Sequence, residues 1–146
     1  MTNTIRIAFY LRSATGDLAD LKRQFKTLKT EIVRRGFDPE TSLIEVYRDT
    51  HQSGLRSGPE FERMTRDAKR GKIDVVMVSR LNRVSRSLRG LFSFYDFVKI
   101  YPIRFLSAED NIDSDQWHFH QRPTIGSPQV FLSTLTKPKQ RKEHHQ

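Results

Sequence analysis

The sequence predicts an α/β fold of three layers, with helices on both faces of a mainly parallel sheet of about four strands. Three observations predict it: β-prone apolar runs alternate with segments of helical period, the helical segments end at Gly or Pro, and the run IDVVMV is apolar without alternation. A strand covered on one face alternates apolar and polar residues, whereas one covered on both faces does not. Strands joined in sequence through helices pair in parallel with right-handed crossovers.

Ile5 to Leu11 is a short apolar, β-prone run that ends in polar residues and reads as the first, buried strand. Asp17 caps a helix in which Leu21, Phe25, Leu28 and Ile32 form one apolar stripe, and Arg34, Arg35 and Gly36 give it a stop. Leu43 to Tyr47 is a second strand, followed by the polar, Gly-containing loop RDTHQSGLRSG. Pro59 suits the first turn of a helix running through Phe61, Met64 and Ala68 to Lys69, Arg70 and Gly71. Ile73 to Val78 is the central strand. The Arg-rich turn SRLNRVSRS leads into a helix from Ser87 to Ile100, with Leu88, Leu91, Phe92, Tyr95 and Val98 inward; Pro102 ends it, and Ile103 to Leu106 is the fourth strand. From Ser114 three prolines, scattered aromatics and no sustained period mark a change of character. The expected organisation is one folded domain over residues 1–113 and a divergent, poorly ordered basic tail over 114–146.

With 146 residues and 36% hydrophobic composition the chain can bury one core. A formal charge of +9 and a pI near 10.2 favour an acidic polymer as partner, because Lys and Arg release counterions when they meet phosphates. The competing reading is an ordinary solvated basic face. The absence of cysteine excludes disulfides, thiolate nucleophiles and cysteine-based zinc sites. His118, His120, His144 and His145 have no cysteine and no acidic partner at ligand spacing, so no metal site is expected. No signal-peptide pattern and no run approaching the ~20 apolar residues of a membrane span are present, which predicts a cytoplasmic protein without a membrane partner.

In an open parallel sheet the functional crevice lies beyond the carboxyl ends of the strands. The segments there are YLRSAT, YRDTHQSG and SRLNRVSRS, rich in arginine and hydroxyl groups. Such a set suits phosphoryl transfer to a protein hydroxyl: a nucleophile, guanidinium groups to hold the phosphate as charge builds, and an acid for the leaving oxygen.

These segments carry a resemblance. Tyr10 and Arg12 match the Tyr-x-Arg of an opening YxRxS motif, Gln24 matches a glutamine of the first helix, and Asp49, Ser53 and Gly54 match an Asp followed by Ser-Gly. IDVVMVSRLNRVSRS matches a strand plus L-D-R-x-x-R, at Leu81, Arg83 and Arg86. Four motifs in order, from about Ile5 to Asp113, resemble the N-terminal catalytic domain of the serine site-specific recombinases, the resolvase/invertase family. The resemblance implies a resolvase-like α/β/α fold and DNA cleavage and rejoining through a 5′-phosphoserine link and a free 3′-hydroxyl, with no cofactor. It assigns phosphate binding to Arg12, Arg83 and Arg86, and DNA contact to Tyr10, Gln24, Asp49, Ser53, Arg56 and Arg80. Arg83 and Arg86 also fit a solvated helix start, and Asp49 a turn former. The implied partners are DNA and a second recombinase subunit, the same or related, with no small-molecule substrate; the implied location is the bacterial nucleoid.

The chain departs from the pattern at three positions. Where the family has its serine stands Ala14; Ser13 is the nearest hydroxyl, ahead of Thr15, but neighbours on a strand point to opposite faces, so Ser13 needs a bulge or an early strand end to join Arg12. Gly58 replaces an arginine, for which Arg56 is a candidate substitute although an ordinary loop surface charge is the favoured reading of it, and Asn82 replaces an acid. Losses of this kind cost ~10²-fold or more each and are not additive. The long dimerisation helix and separate DNA-binding domain of the family are not readable in the tail. The expectation is a recombinase domain of impaired activity with Ser13 as nucleophile; the alternative is a non-catalytic DNA-binding or recombinase-regulating module, or a truncated remnant of a mobile-element recombinase.

Overall fold

The computed structural model of the chain describes residues 4–50 and 57–117. Ser53, Gly54 and Arg56, and the tail from 118 onward with all its histidines, lie outside the described residues. By its contacts the chain divides into a unit Met1–Gln116 and a second, Trp117–Gln146. Every strand and helix among the described residues belongs to the first unit.

Among the described residues five strands and three α-helices follow in the order β1 (Arg6–Ser13), α1 (Leu18–Arg34), β2 (Leu43–Thr50), α2 (Pro59–Lys69), β3 (Val75–Val78), α3 (Leu88–Ile100), β4 (Arg104–Ser107) and β5 (Ile112–Asp113). The sheet order is β2-β1-β3-β4-β5, parallel from β2 to β4, with β5 antiparallel on β4. The expected parallel core is present, and β5 is an addition the sequence did not announce. Two residues carry no readable period, and this strand exists because the turn through Asn111, at φ +53°, folds Ile112 back beside Ser107.

Alternation along β1 divides the core. Ile7, Phe9 and Leu11 face α1, where they pack with Leu21, Leu28 and Ile32 and with Val75, Met77 and Leu106 from the sheet. Phe25, expected on the same stripe, sits at its margin, more than a third exposed, with its ring edge-on to Phe9. On the opposite face an aromatic chain links the other elements: Tyr10 to Phe61 (centroids 5.2 Å apart), Phe61 to Phe94 (5.9 Å) and Phe94 to Phe105 (4.7 Å). This chain turns α3 relative to expectation. Phe94 and Phe97 are buried with Leu91, Tyr95 and Val98, while Leu88, in the first turn beyond the capping Ser87, is exposed. Helix α1 stops as its sequence predicts, with Gly36 at φ +85° and Phe37 N–H returning to the Ile32 carbonyl. Among the described residues no helix is long and apolar enough to cross a membrane.

Candidate DNA phosphate site

The carboxyl ends of β1, β2 and β3 bring most of the described candidate residues together. β1 is longer than its apolar run: it continues through Arg12 and Ser13, which pair in unbroken parallel register with Asp49 and Thr50 of β2. Strand parity therefore holds to the end, and Arg12 and Ser13 point to opposite faces.

Arg12 is almost wholly buried. Its guanidinium donates to the Arg83 carbonyl from Nε (2.9 Å) and to the Asn82 carbonyl from Nη2. Both acceptors belong to the short 3₁₀ turn Leu81–Arg83 that follows β3. Arg83 answers in kind, its Nη1 donating to the Arg12 carbonyl at 3.2 Å. Burial lowers the pKa of Arg12 from its ordinary value, and although Tyr10 and Asp49 oppose the change, the positive fields of Arg83 and Arg86 act with burial. Arginine stays charged at any physiological pH, so the shift describes chiefly a cation held out of water.

Gln24 fixes the backbone at this point. Its Nε2 donates to the Arg12 carbonyl at 2.9 Å and its Oε1 accepts from the Arg12 N–H at 3.2 Å, so the amide substitutes for a neighbouring strand. The same Nε2 reaches Asp20 at 2.9 Å. Gln24 is buried and acts here on Arg12 rather than on solvent.

Asp49 and Tyr10 also point inward. The Asp49 carboxylate accepts from Tyr10 Oη (2.8 Å) and from the backbone N–H groups of Glu60 (3.0 Å) and Phe61 (2.9 Å), and so caps α2 from a different element. Burial, and then the bond to Asp49, push the Tyr10 phenol well above its usual pKa. Gly58, the N-cap residue of α2, has an ordinary extended backbone, but a Cβ there would lie 2.3 Å from Asp49 Cγ and Oδ2. Glycine is required by close approach, and the space next to residue 58 is filled by the Asp49 carboxylate.

Ser13 is 3% exposed, and its Oγ accepts from the Asp17 N–H (3.1 Å) and lies 3.4 Å from Thr15 Oγ1. Ala14 and Thr15 are exposed on the bend beyond the strand. Arg86 and Asn82 are exposed. Arg80 is exposed but paired, its Nε donating to Glu109 at 2.6 Å, which raises its pKa.

The residue that sequence reasoning missed is Asp20. It lies one helical turn before Gln24, a spacing that puts the two on one face, but nothing local to it announces Arg83, whose Nη2 is 3.5 Å from Asp20 Oδ1. Among the described residues no three His, Asp or Glu side chains gather to hold a metal ion.

A mainly parallel sheet with helices on both faces and arginines after its first and third strands is a fold that solved recombinase catalytic domains share. The N-terminal catalytic domain of TP901-1 integrase is 25% identical, with a TM-score of 0.70 over 89% of this chain and 90% of that one. A resolvase family site-specific recombinase from Streptococcus pneumoniae is 23% identical, with a TM-score of 0.67 over 89% of this chain and 87% of that one. The C-terminal catalytic domain of ISC1926 TnpA, an IS607-like serine recombinase, shares the fold at 21% identity, with a TM-score of 0.60 over 70% of this chain and 69% of that one. No curated protein matches the chain in sequence. The family described as Resolvase, N terminal domain, matches residues 7–121, and the chain belongs to it.

Proposed function

We propose that this resolvase-family domain binds DNA through phosphate contacts at Arg83 and Arg86, with the buried Arg12 bracing the Arg83 turn and adding its positive field, and cleaves DNA poorly or not at all. The observation that carries the reading is the arrangement of side chains after β1. Ala14 is the exposed residue beside the buried Arg12, while the Ser13 hydroxyl lies on the other face and is engaged by the Asp17 N–H. Attack on a phosphodiester requires a hydroxyl in line with the phosphorus and on the side of the guanidinium groups. Ser13 does not lie on that side without rearrangement of the strand end. The arginines still supply positive charge for a phosphate, and Gln24 still holds Arg12 in place, so binding outlasts chemistry. DNA is then the partner, nucleoid association follows from it, and pairing with another recombinase subunit is the route by which a non-cleaving domain takes part in recombination.

The test incubates the full chain with supercoiled DNA carrying the flanking sequences of its own gene and scores nicking and covalent attachment. The expected result is salt-sensitive binding, weakened by Arg86→Ala, with no covalent adduct. An adduct formed by the native chain and abolished by Ser13→Ala overturns the proposal.

A further inference from the structure

Beside the arginine cluster, a groove of about 550 Å³ runs between α1 and the ends of β3 and β4, lined by Asp20, Gln24, Arg80, Arg83 and Glu109 among others. Asp20 is its centre. Oδ1 faces Arg23 Nη2 (3.2 Å) and Arg83 Nη2 (3.5 Å), and Oδ2 accepts from Gln24 Nε2 (2.9 Å). The Arg83 guanidinium is divided between two internal partners, the Arg12 carbonyl through Nη1 and Asp20 through Nη2, and its Nε is buried without a hydrogen bond. Arg83 and Asp20 are 22% and 21% exposed, so the pair is reachable from solvent yet not fully screened.

We propose that Asp20 is a built-in counter-anion for Arg83, occupying the guanidinium edge that a DNA phosphate would take and thereby setting the affinity of the site. The inference rests on the phosphate-binding reading of Arg83. A guanidinium binds a carboxylate and a phosphate with the same fork, so the two compete for one set of donors. The 3.5 Å separation is longer than the 2.7–2.9 Å typical of a charge-assisted bond. A loosely held carboxylate gives way to a phosphodiester, which carries the same single charge but brings the field of a polyanion and the release of its counterions. Arg80, which also lines the groove, is by contrast held tightly, by Glu109 at 2.6 Å. When Arg83 turns to a phosphate, Asp20 is left with Arg23 and Gln24, so the carboxylate keeps partners in both arrangements.

The test measures binding of the full chain to a fluorescein-labelled mixed-sequence DNA duplex across a salt series, for the native chain, Asp20→Asn, Arg83→Ala and the double variant. Asparagine keeps an acceptor for Gln24 and removes the charge, and circular dichroism checks that each variant is folded. Asp20→Asn is expected to tighten binding by roughly two- to fivefold at low salt, the scale of a partly exposed ion pair. It should also steepen the salt dependence by up to ~0.9 in log–log slope, because one more counterion is released. Both effects vanish in the Arg83→Ala background. If Asp20→Asn leaves affinity unchanged or weakens it, or if its gain persists at equal size without Arg83, the counter-anion inference is overturned. If Arg83→Ala itself leaves binding unchanged, the failure lies in the phosphate-site reading.

Discussion

Asp49→Ala is expected to be among the most destabilising substitutions in the domain, although Asp49 lies at the end of an edge strand. The residue is 2% exposed, and its carboxylate accepts from Tyr10 Oη, Glu60 N–H and Phe61 N–H. Alanine leaves a buried phenol and two helix-terminal N–H groups without this acceptor. A buried polar group left unpaired costs about 1–3 kcal/mol, and loss of a helix cap costs about 0.5–2 kcal/mol. Water entering the vacated space restores part of the bonding, so we expect a net loss of about 3–5 kcal/mol, a large share of the 5–15 kcal/mol that typically holds a domain together. Urea denaturation followed by far-ultraviolet circular dichroism measures it. The Gly58 contact supplies a second arm. Gly58→Ala in the native background sets a Cβ 2.3 Å from the carboxylate and should cost about 1–3 kcal/mol by overpacking. In the Asp49→Ala background the obstacle is gone, and the added cost should fall below about 0.5 kcal/mol, the scale of an ordinary surface change. A loss for Asp49→Ala of less than about 1 kcal/mol, or equal Gly58→Ala costs in both backgrounds, refutes the capping account. For the same reason Gly58→Arg, which introduces the arginine expected there from the resemblance, should destabilise the domain and not raise cleavage.

Two further outcomes are expected from the same geometry. Gln24→Ala, which removes both amide bonds to the backbone of Arg12, should cost about 1–3 kcal/mol and speed amide hydrogen exchange at Arg12, whose N–H loses its acceptor; unchanged exchange there contradicts the role assigned to Gln24. Acid should destabilise the domain: the bond from Arg6 holds the Asp74 carboxyl below its ordinary pKa, and at Asp113 the bonds from Arg104 and the Asp115 N–H prevail over a larger opposing effect of burial. Because these folded pKa values lie below the unfolded ones, the stabilisation is present above pH ~4 and is lost as pH falls through the folded values. A melting temperature that stays flat or rises as pH is lowered from about 5 to 2 contradicts this.

Much of the fold was legible because it is written in near neighbours. The stripe Leu21, Leu28 and Ile32, the stop at Gly36 and the unbroken apolar run of β3 are local patterns whose physical cause spans one or two turns or a few strand residues. The reading failed where neighbours from other elements decide. Leu88 satisfies the helical period as well as Phe94 does, but only Phe94 meets Phe105. The β1 strand extends through Arg12 and Ser13 because β2 pairs with it to the end, which no property of those two polar residues announces.

The site divides in the same way. By itself the sequence determined the order of strands and helices and the arginine-rich segments that follow β1 and β3, and it raised the expectation that Ala14 stands in place of a hydroxyl, since each depends only on residue type and order along alternating elements. Only the tertiary structure decided that Ser13 faces away from Arg12, that Asp49 caps α2 and excludes a side chain at residue 58, and that Asp20 stands against Arg83. Each of these is set by a hydrogen bond or a steric limit of a few ångströms between groups whose distance along the chain says nothing of their distance in space.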